Sequence, residues 1–353
     1  MSIEGQINDY LRRAVDEGRE NGVQLTVFHK DKCIINACAG YFDEQHSKPV
    51  DENTLFPIFS ASKGITATLL HRLAERGLFD YEDSVKKYWP GFKADVTIGQ
   101  VLAMTSAMDI MPGDIIAKDL EDWDYMCGRM AEMLPHEKPG ERFIYHSYTF
   151  GWLAGNIACL VTGKDFKTLL EEEIKAPLSI HDLYIGTPES EFYRIAELVD
   201  EPYDNDELFI GDEQTRGQGN CMHPLCKWMN TASGRRSCCP AVSGIATAYD
   251  LARFYASFVG YKQPLISENQ LLKAVEDNRY TTEWGYRGYG YQFYYVDDDK
   301  DYKKIRFGHG GYNGSLGFAD TKNKLAYGFN KNFKSDRTIN GELIRVINRI
   351  LGV

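Results

Sequence analysis

The 353-residue sequence predicts an α/β (α+β) protein in which N- and C-terminal helices flank an antiparallel sheet that carries an inserted all-α lobe. Three observations support this prediction: β-type runs occur near both ends of the chain, the middle is mainly helical, and an amphipathic helical pattern stands at each terminus. Pairing the first strands with the last gives the simplest packing. We expect a sheet lobe of residues 1–66 and 200–353, a helical lobe of residues 67–199, and an active site in the cleft between them.

The first elements follow from apolar spacing. A helix is predicted with one apolar face, formed by Ile3, Ile7, Leu11 and Val15. Two β-type runs follow at residues 24–30 and 33–41, and their junction at Asp31-Lys32 indicates a hairpin.

Three helical stretches are predicted in the middle, each with a recognisable start or stop signal. They are the stripe of Ile65, Leu69 and Leu73 that stops at Gly77, residues 148–162 that stop at Gly163, and a helix that starts at Thr247-x-x-Asp250 and ends near Gly260.

The tail returns to strands, because runs with β-type residues alternate there with turn residues. The predicted strands are residues 289–296, 304–308, 314–320 and 325–332, and the last two are joined by a turn at 321–324. A closing helix is predicted from the stripe Ile339, Leu343, Ile347 and Leu351.

The net charge of −11 and the pI of about 5.3 argue against nucleic acid as a partner, because phosphate binding needs clustered Lys and Arg. The same charge disfavours anionic membranes. No run of about 18 apolar residues occurs, so we expect no transmembrane helix. The first fifteen residues lack the basic and apolar regions of a secretory signal, which predicts a cytoplasmic location.

Eight cysteines in a chain of this length are expected to be reduced thiols rather than a disulfide framework. One group, formed by Cys221, His223, Cys226, Cys238 and Cys239, contains zinc-ligand residue types. Its spacing does not match the C-x2-C pairs typical of zinc sites, so buried or loop thiols are favoured over a metal. We predict no metal and no other cofactor.

The first candidate motif is Ser60-x-x-Lys63, at the point where an extended run at 55–58 gives way to the Ile65 helix. Residues three apart on a helix share a face, so the two side chains can meet. A serine becomes an effective nucleophile when a neighbouring base takes its proton, and a desolvated lysine can be that base. Taken alone, the pattern is more typical of an N-capping serine followed by a surface lysine.

Two further motifs contain polar groups near glycines or a helix start. Tyr145-x-Ser147 lies at a loop-to-helix boundary, where a tyrosine beside a lysine can relay a proton and a serine can donate a hydrogen bond to lysine or substrate. His309-Gly310-Gly311 lies in a strand pattern, where glycine allows close approach of another backbone or a ligand. The alternatives are an aromatic packing residue with a helix cap, and a glycine-rich turn with an exposed histidine.

Together and in this order, the three motifs resemble those of the serine β-lactamase and penicillin-binding-protein superfamily, including class C β-lactamases and family VIII esterases. Ser60-x-x-Lys63 resembles S-x-x-K, Tyr145-x-Ser147 resembles Y-x-N and Y-x-S, and His309-Gly310-Gly311 resembles the K-T-G or H-x-G strand. Residues 78–91, 96–102 and 242–252 also resemble segments of this family. The resemblance covers about residues 10–350 and implies a β-lactamase/transpeptidase-like fold.

The sequence departs from this pattern at three places. Residues 102–107 replace the common L-L-x-H-T-S-G, Ser147 stands where lactamases have asparagine, and His309 stands where many members have lysine. A neutral imidazole attracts a carboxylate less strongly than an ammonium group does. These departures favour a substrate that depends less on a carboxylate than a β-lactam does.

The resemblance implies a serine acyl hydrolase of the carboxylesterase type that acts on a small ester or amide. Ser60 forms the acyl-enzyme, Lys63 and Tyr145 are the general base and acid, and backbone N–H groups of Ser60 and Tyr312 form the oxyanion hole. The residues expected to bind or orient the substrate are Ser147, His309, Gly310, Gly311 and Tyr312.

Several alternatives stay open. Within the superfamily these are a D-amino-acid peptidase or amidase, a β-lactamase, and acyl transfer to an alcohol; the alternative of another class is a non-catalytic ligand-binding protein that keeps the fold. Residues 200–240 are expected to border the cleft. The aromatic-rich residues 280–289 fit lining of the pocket and ordinary strand packing equally well.

Overall fold

A computed structural model of the chain describes residues 2–200, 222–260, 264–276, 280–282, 285–296, 301, 303–335 and 338–353. The helices in these ranges are α1 Ile3–Asp16, α2 Ser62–Glu75, α3 Ile98–Leu102, α4 Trp123–Glu132, α5 Thr149–Thr162, α6 Phe166–Leu170, α7 Ala176–Leu178, α8 Leu225–Met229, α9 Ala232–Arg236, α10 Ala248–Ala256, α11 Glu268–Glu276 and α12 Asn340–Leu351. Over the same ranges, no helix combines the length and the apolar character that crossing a bilayer requires.

The strands of the described ranges are two to nine residues long. They are β1 Gly22–His29, β2 Lys32–Gly40, β3 Phe56–Pro57, β4 Leu183–Ile185, β5 Val199–Asp200, β6 Gly244–Ala246, β7 Tyr280–Thr282, β8 Gly285–Arg287, β9 Gln292–Tyr295, β10 Ile305–Gly310, β11 Leu316–Asp320, β12 Leu325–Lys331 and β13 Phe333–Lys334.

The main sheet joins the two ends of the chain. Its order among the described strands is β2-β1-β12-β11-β10-β9-β8-β7, and every neighbouring pair is antiparallel. The pairing of β1 with β12 confirms the predicted union of first and last strands. The fold class is therefore the predicted one, and its division at residues 66–67 and 199–200 into two lobes stays a prediction.

The terminal helices cover one face of this sheet. Ile7 and Leu11 of α1 and Leu343 and Ile347 of α12 are buried together against apolar strand residues such as Phe329. The apolar spacing that predicts each helix is thus the face that excludes water. On the other face, α10 packs on β1 and β12, and α2 packs on β10.

A small three-stranded sheet, in the order β3-β6-β4, connects the region before α2 to two distant segments. Phe56 pairs with Ala246, which also pairs with Leu183. This sheet fixes the chain just ahead of Ser60.

The predicted boundaries need a few corrections. The first hairpin turns at Lys30-Asp31, one residue earlier than expected, because Lys30 takes a left-handed φ of 59°. Helix α10 ends at Ala256 rather than near Gly260, and turns follow it. Its N-cap Thr247 accepts from the backbone N–H of Asp250, but the Asp250 carboxylate accepts from the backbone N–H of His181 instead of completing a capping box.

The aromatic-rich run 280–289 contains strands β7 and β8, so strand packing accounts for its described part; Trp284 lies outside the described residues. The aromatic side chains pack on one another: the rings of Tyr286 and Phe293, on neighbouring strands, stack at 5.5 Å.

Close packing on the α10 side of the sheet predicts a contrast between two glycines. A Cβ at Gly317 would lie 2.3 Å from the Tyr255 ring, whereas Gly128 in the exposed face of α4 has nothing within 4 Å. We expect Gly317→Ala to lower the free energy of unfolding by about 1–3 kcal/mol through overpacking. Gly128→Ala should raise it by about 0.5–1 kcal/mol through helix propensity. Urea unfolding measures both, and equal effects of the two substitutions would contradict the packing at Gly317.

Candidate active site

Ser60 lies in a 3₁₀ turn, Phe59–Ala61, between β3 and α2. The turn is unusual because Phe59 has a left-handed φ of 44°, a costly conformation for a residue with a side chain. Its buried ring, in edge-to-face contact with the Tyr312 ring at 5.8 Å, holds it there. The N-cap of α2 is Ala61, which makes no side-chain cap, so the interpretation of Ser60 as a capping residue is wrong.

Lys63 is fully buried, so the alternative of a surface lysine is also wrong. Its Nζ lies 3.0 Å from Ser60 Oγ, 2.8 Å from the Ser147 carbonyl oxygen and 3.0 Å from the Ala241 carbonyl oxygen. Burial is the largest influence on this amine and lowers the pKa of Lys63 below the ordinary lysine value, while Tyr145 acts in the opposite direction. The amine is therefore biased toward the neutral form.

Tyr145 is brought to the same place from the segment ahead of α5. The Lys63 Nζ lies 4.8 Å from the centre of the Tyr145 ring, and the His309 ring stacks on the Tyr145 ring with the two centroids 6.1 Å apart. The side chain is half-buried. The structure thus brings Ser60, Lys63 and Tyr145 together, and their catalytic roles stay a prediction.

Ser147 contacts the lysine differently from the expectation. The hydrogen bond to Lys63 uses the backbone carbonyl of Ser147 rather than its hydroxyl. Any residue could supply this carbonyl, so the contact does not explain why serine stands here. A role for the hydroxyl in binding substrate stays a prediction.

His146, which the sequence analysis passes over, fixes the Tyr145–Ser147 segment. Its Nδ1 lies 2.6 Å from the Ile144 carbonyl oxygen and therefore carries the proton. Its Nε2 then accepts from the Ser106 hydroxyl at 2.8 Å and from the Met108 N–H at 3.3 Å. The altered segment 102–107 is in this way tied directly to the Tyr145 segment. The only sequence signal is a histidine between two motif residues.

His309 lies on β10 opposite Gly317 and is buried, so the alternative of an exposed turn histidine is wrong. Its Nδ1 lies 2.7 Å from the Gly310 carbonyl oxygen and is the protonated nitrogen. Its Nε2 is buried and has no hydrogen-bond partner within the described ranges. Burial, together with Arg287 and Lys63, holds the pKa of His309 well below its usual range, so the imidazole is neutral.

The glycines after His309 allow the predicted close approach. A Cβ on Gly311 would lie 2.3 Å from the carbonyl oxygen of Ile58, so β10 passes directly beside the chain that leads to Ser60. Gly310 ends β10, and the Tyr312 ring packs on Phe59. The oxyanion role of the Ser60 and Tyr312 N–H groups stays a prediction.

Arg287 is the second residue that the sequence analysis misses. It lies at the end of β8 and is buried, with its guanidinium carbon 5.8 Å from the Tyr145 ring centre and 5.6 Å from the Phe143 ring centre. Its charge contributes to lowering the pKa values of both Lys63 and His309. The aromatic-rich run 280–289 therefore also reaches the site, through this arginine.

The cysteine group lies only partly within the described ranges, because Cys221 is outside them. Cys226 and Cys239 are buried, and Cys238 is half-buried. Across residues that the structure describes, no three His, Cys, Asp or Glu side chains are grouped as metal ligands would be. Of the predicted cleft border at 200–240, residues 201–221 also fall outside the description.

The fold and this site define a class of proteins: an S-x-x-K serine at the start of a helix, a facing Tyr-x-Ser segment and a glycine-rich strand between a sheet and a helical region. A family model described as Beta-lactamase matches residues 7–348, so the chain belongs to the beta-lactamase family. This membership confirms the superfamily inferred from the three motifs.

Curated relatives include the esterase/beta-lactamase LipL of Mycobacterium tuberculosis, 36% identical over 186 residues, which are 51% of this chain and 43% of LipL. Protein flp of Staphylococcus aureus is 27% identical over 188 residues, 50% of this chain and 37% of that protein. Both matches span less than half of the relative's length.

Solved structures cover the whole fold. A family VIII carboxylesterase superposes with a TM-score of 0.85 at 26% identity, covering 98% of this chain and 97% of that one. A penicillin-binding-protein homologue from Caulobacter crescentus gives a TM-score of 0.78 at 25% identity, with coverages of 94% and 92%.

Three buried histidines should make the stability of the folded protein depend on pH. Burial lowers the pKa values of His71 and His146 to about 4 and that of His309 well below 6.5. The unfolded chain binds protons at these histidines near pH 6.5, whereas the folded protein keeps them neutral. Their contribution to the free energy of unfolding is therefore constant above pH 6.5. It decreases as the pH falls toward 4, by about 1.4 kcal/mol per pH unit for each histidine.

Histidine Cε1 resonances followed by NMR from pH 7.5 to 5 should include three that do not titrate. Assignment uses single His→Gln substitutions at positions 71, 146 and 309. The net stability is a poorer measure, because burial raises the pKa of Glu20 to about 7 and gives the opposite slope over the same range. A normal titration near pH 6.5 for His146 would contradict the neutral imidazole that fixes Tyr145.

Proposed function

We propose that this protein is a serine acyl hydrolase of the carboxylesterase type, with Ser60 as nucleophile, Lys63 as general base and Tyr145 as proton relay. The observation that carries the proposal is the set of acceptors around the Lys63 amine. A lysine buried among two carbonyls and a serine hydroxyl is arranged for proton abstraction rather than for a surface ion pair.

The three oxygens around the Lys63 amine suit both of its protonation states. An ammonium donates to the Ser60 hydroxyl and to the carbonyls of Ser147 and Ala241. A neutral amine donates to the two carbonyls and keeps its lone pair for the Ser60 hydroxyl at 3.0 Å, a distance suited to proton transfer. The lowered pKa of Lys63 favours this neutral state.

The reaction then proceeds through an acyl-enzyme. Lys63 takes the Ser60 proton as Oγ bonds to the ester carbonyl carbon, and the N–H groups of Ser60 and Tyr312 bind the resulting oxyanion. The proton passes through Tyr145 to the leaving alcohol, whose bond to the acyl carbon breaks. Water attacks the acyl-enzyme with the same groups acting in reverse and releases the acid.

The relatives support an ester substrate. LipL is named as an esterase/beta-lactamase and the solved family VIII protein as a carboxylesterase, and both match this chain at more than 25% identity. The neutral His309 gives the glycine-rich strand no fixed charge of its own, which a β-lactam carboxylate would use. We therefore place small esters ahead of D-amino-acid amides and both ahead of β-lactams.

Covalent labelling tests the nucleophile. A fluorophosphonate probe should add once to the wild-type protein, and the protein should release nitrophenol from p-nitrophenyl acetate and butyrate. Both signals should be lost in Ser60→Ala, because Ser60 is the only serine of the described residues whose hydroxyl is hydrogen-bonded to the buried Lys63 amine. Intact mass spectrometry and absorbance measure the two signals, and Ser190→Ala at an exposed serine is the matched control.

Absence of an adduct and of turnover in the folded wild-type protein would contradict the esterase. D-amino-acid amides are then the next substrates to assay. Saturable ligand binding without labelling would instead support the non-catalytic alternative.

Tyr145→Phe removes the proton relay while keeping the ring that packs beside Lys63 and His309. We expect kcat to fall by about 10²–10⁴-fold, the usual contribution of a positioned acid or base, while the fluorophosphonate adduct still forms slowly. Steady-state hydrolysis of p-nitrophenyl acetate measures kcat, and Tyr125→Phe at an exposed tyrosine is the control. A loss smaller than about threefold would remove Tyr145 from the proton path.

A further inference from the structure

A cavity of about 670 Å³ lies behind strand β10, on the face of the main sheet that α12 helps to cover. Successive residues of a strand point to opposite faces of the sheet. His309 faces Tyr145 and the catalytic groups, so Arg306, Gly308 and Gly310 lie on the other side, which is the side of the cavity. The cavity and the proposed active site are thus separate spaces that share β10 as a wall.

Glycines and apolar side chains give the cavity its shape. Gly308 and Gly310 line it with backbone alone, and a Cβ added to Gly310 would have its nearest neighbours at 3.9 Å, so the space beside this residue is open. The apolar wall consists of Leu316 and Phe318 of β11 and Ile344 of α12. A concave space of this volume with such a wall fits a small organic molecule.

Two cationic side chains, Arg306 and Lys322, also line the cavity, and no carboxylate side chain is among its described lining residues. Arg306 donates to the buried Asp320 carboxylate at 3.0 Å, and its guanidinium carbon lies 4.8 Å from the Phe318 ring centre. Its Nε is buried and has no hydrogen-bond partner in the described part of the chain. Because a buried donor without an acceptor is costly, this arrangement indicates a ligand that brings an acceptor.

We propose that this cavity is a second binding site, which takes a monocarboxylate with an apolar chain of medium length. The carboxylate accepts from Arg306 and Lys322, and the chain packs on the apolar wall. A guanidinium has five N–H donors, so Arg306 can hold Asp320 and still donate to a ligand. An esterase releases acids of this class from acyl esters, but the site is inferred from its own lining and does not depend on the proposed function.

Strand β10 connects the cavity to the catalytic groups. His309 lies between Gly308 and Gly310 in the chain, and its Nδ1 donates to the Gly310 carbonyl at 2.7 Å. A ligand that contacts the two glycines from behind is therefore one residue away from the active-site imidazole. We expect occupancy of the cavity to change the environment of His309 and to leave that of His71 and His146 unchanged.

Calorimetry with octanoate and octan-1-ol, which share an eight-carbon chain and differ in charge, tests the site. The protein is first treated with the fluorophosphonate probe, so that Ser60 is blocked. One octanoate should bind per blocked protein, about tenfold more tightly than octan-1-ol, because its carboxylate forms charge-assisted hydrogen bonds. Lys322→Gln should weaken the binding of octanoate about 3–10-fold and leave that of octan-1-ol unchanged. Lys303→Gln, which removes a charge at an exposed position outside the cavity lining, is the matched control.

Variants of the wall and of the arginine locate the ligand. Ile344→Trp fills the cavity from α12 and should weaken octanoate binding by about tenfold or more. Val346→Trp, at a half-buried position of the same helix outside the cavity lining, is its control. Arg306→Lys keeps a cation beside the buried Asp320 but loses the guanidinium donors, and should weaken binding by about threefold or more. Circular dichroism verifies that each variant is folded.

The outcomes are distinct. Octanoate should shift the His309 Cε1 resonance in the wild-type protein and not in Ile344→Trp. Binding that disappears when Ser60 is labelled would overturn the proposal, because the ligand would then occupy the catalytic centre. Equal affinities for octanoate and octan-1-ol, or equal affinities of Ile344→Trp and Val346→Trp for octanoate, would also overturn it. Failure of the probe to label Ser60 would contradict the proposed hydrolase, and the same pair of variants, unlabelled, would still decide whether the cavity binds octanoate.

Discussion

The burial of the Lys63 amine is the constraint on which the rest of the site depends. An amine without solvent must find acceptors inside the protein, and three separate segments provide them: the Ser60 turn, the Ser147 carbonyl and the Ala241 carbonyl. None of these positions can move alone without leaving a buried donor unpaired. The same lack of solvent lowers the pKa of Lys63, so the interaction that holds the three segments together also prepares the base.

The surrounding packing explains how the segments are held at this distance. The chain after Pro240 lies against α2, where the Gly244 N–H donates to the Ser62 hydroxyl and Thr66 donates to the Pro240 carbonyl. It also lies against α5, where a Cβ on Gly151 would come within 2.5 Å of the Ala241 nitrogen. His146 fixes the third segment through Ser106. Rigid support of this kind allows the half-buried Ser60 and the buried Lys63 to keep one geometry through the reaction.

The sequence predicts those parts of the molecule that a local pattern specifies. The apolar stripes of α1 and α12 and the glycine stop of α5 at Gly163 depend on near neighbours in the chain, and the structure has them at the predicted places. Strands β7 and β8 have three residues each, too few for an alternating pattern. A contact made by a backbone atom does not require a particular residue type either, so the role of the Ser147 carbonyl could not be predicted from the sequence. Arg287 is missed for a related reason: a single arginine in an aromatic run looks like surface charge until the fold buries it.

Electrostatic coupling in the cleft determines which basic group keeps its charge. Lys63, His309 and Arg287 lie close enough to influence one another, and in a region of low dielectric their three charges would repel strongly. Arginine has by far the highest intrinsic pKa, so it stays charged, and its field adds to the burial that lowers the pKa values of the other two. The same cation therefore favours a base that is ready at Lys63 and leaves one positive charge beside Tyr145.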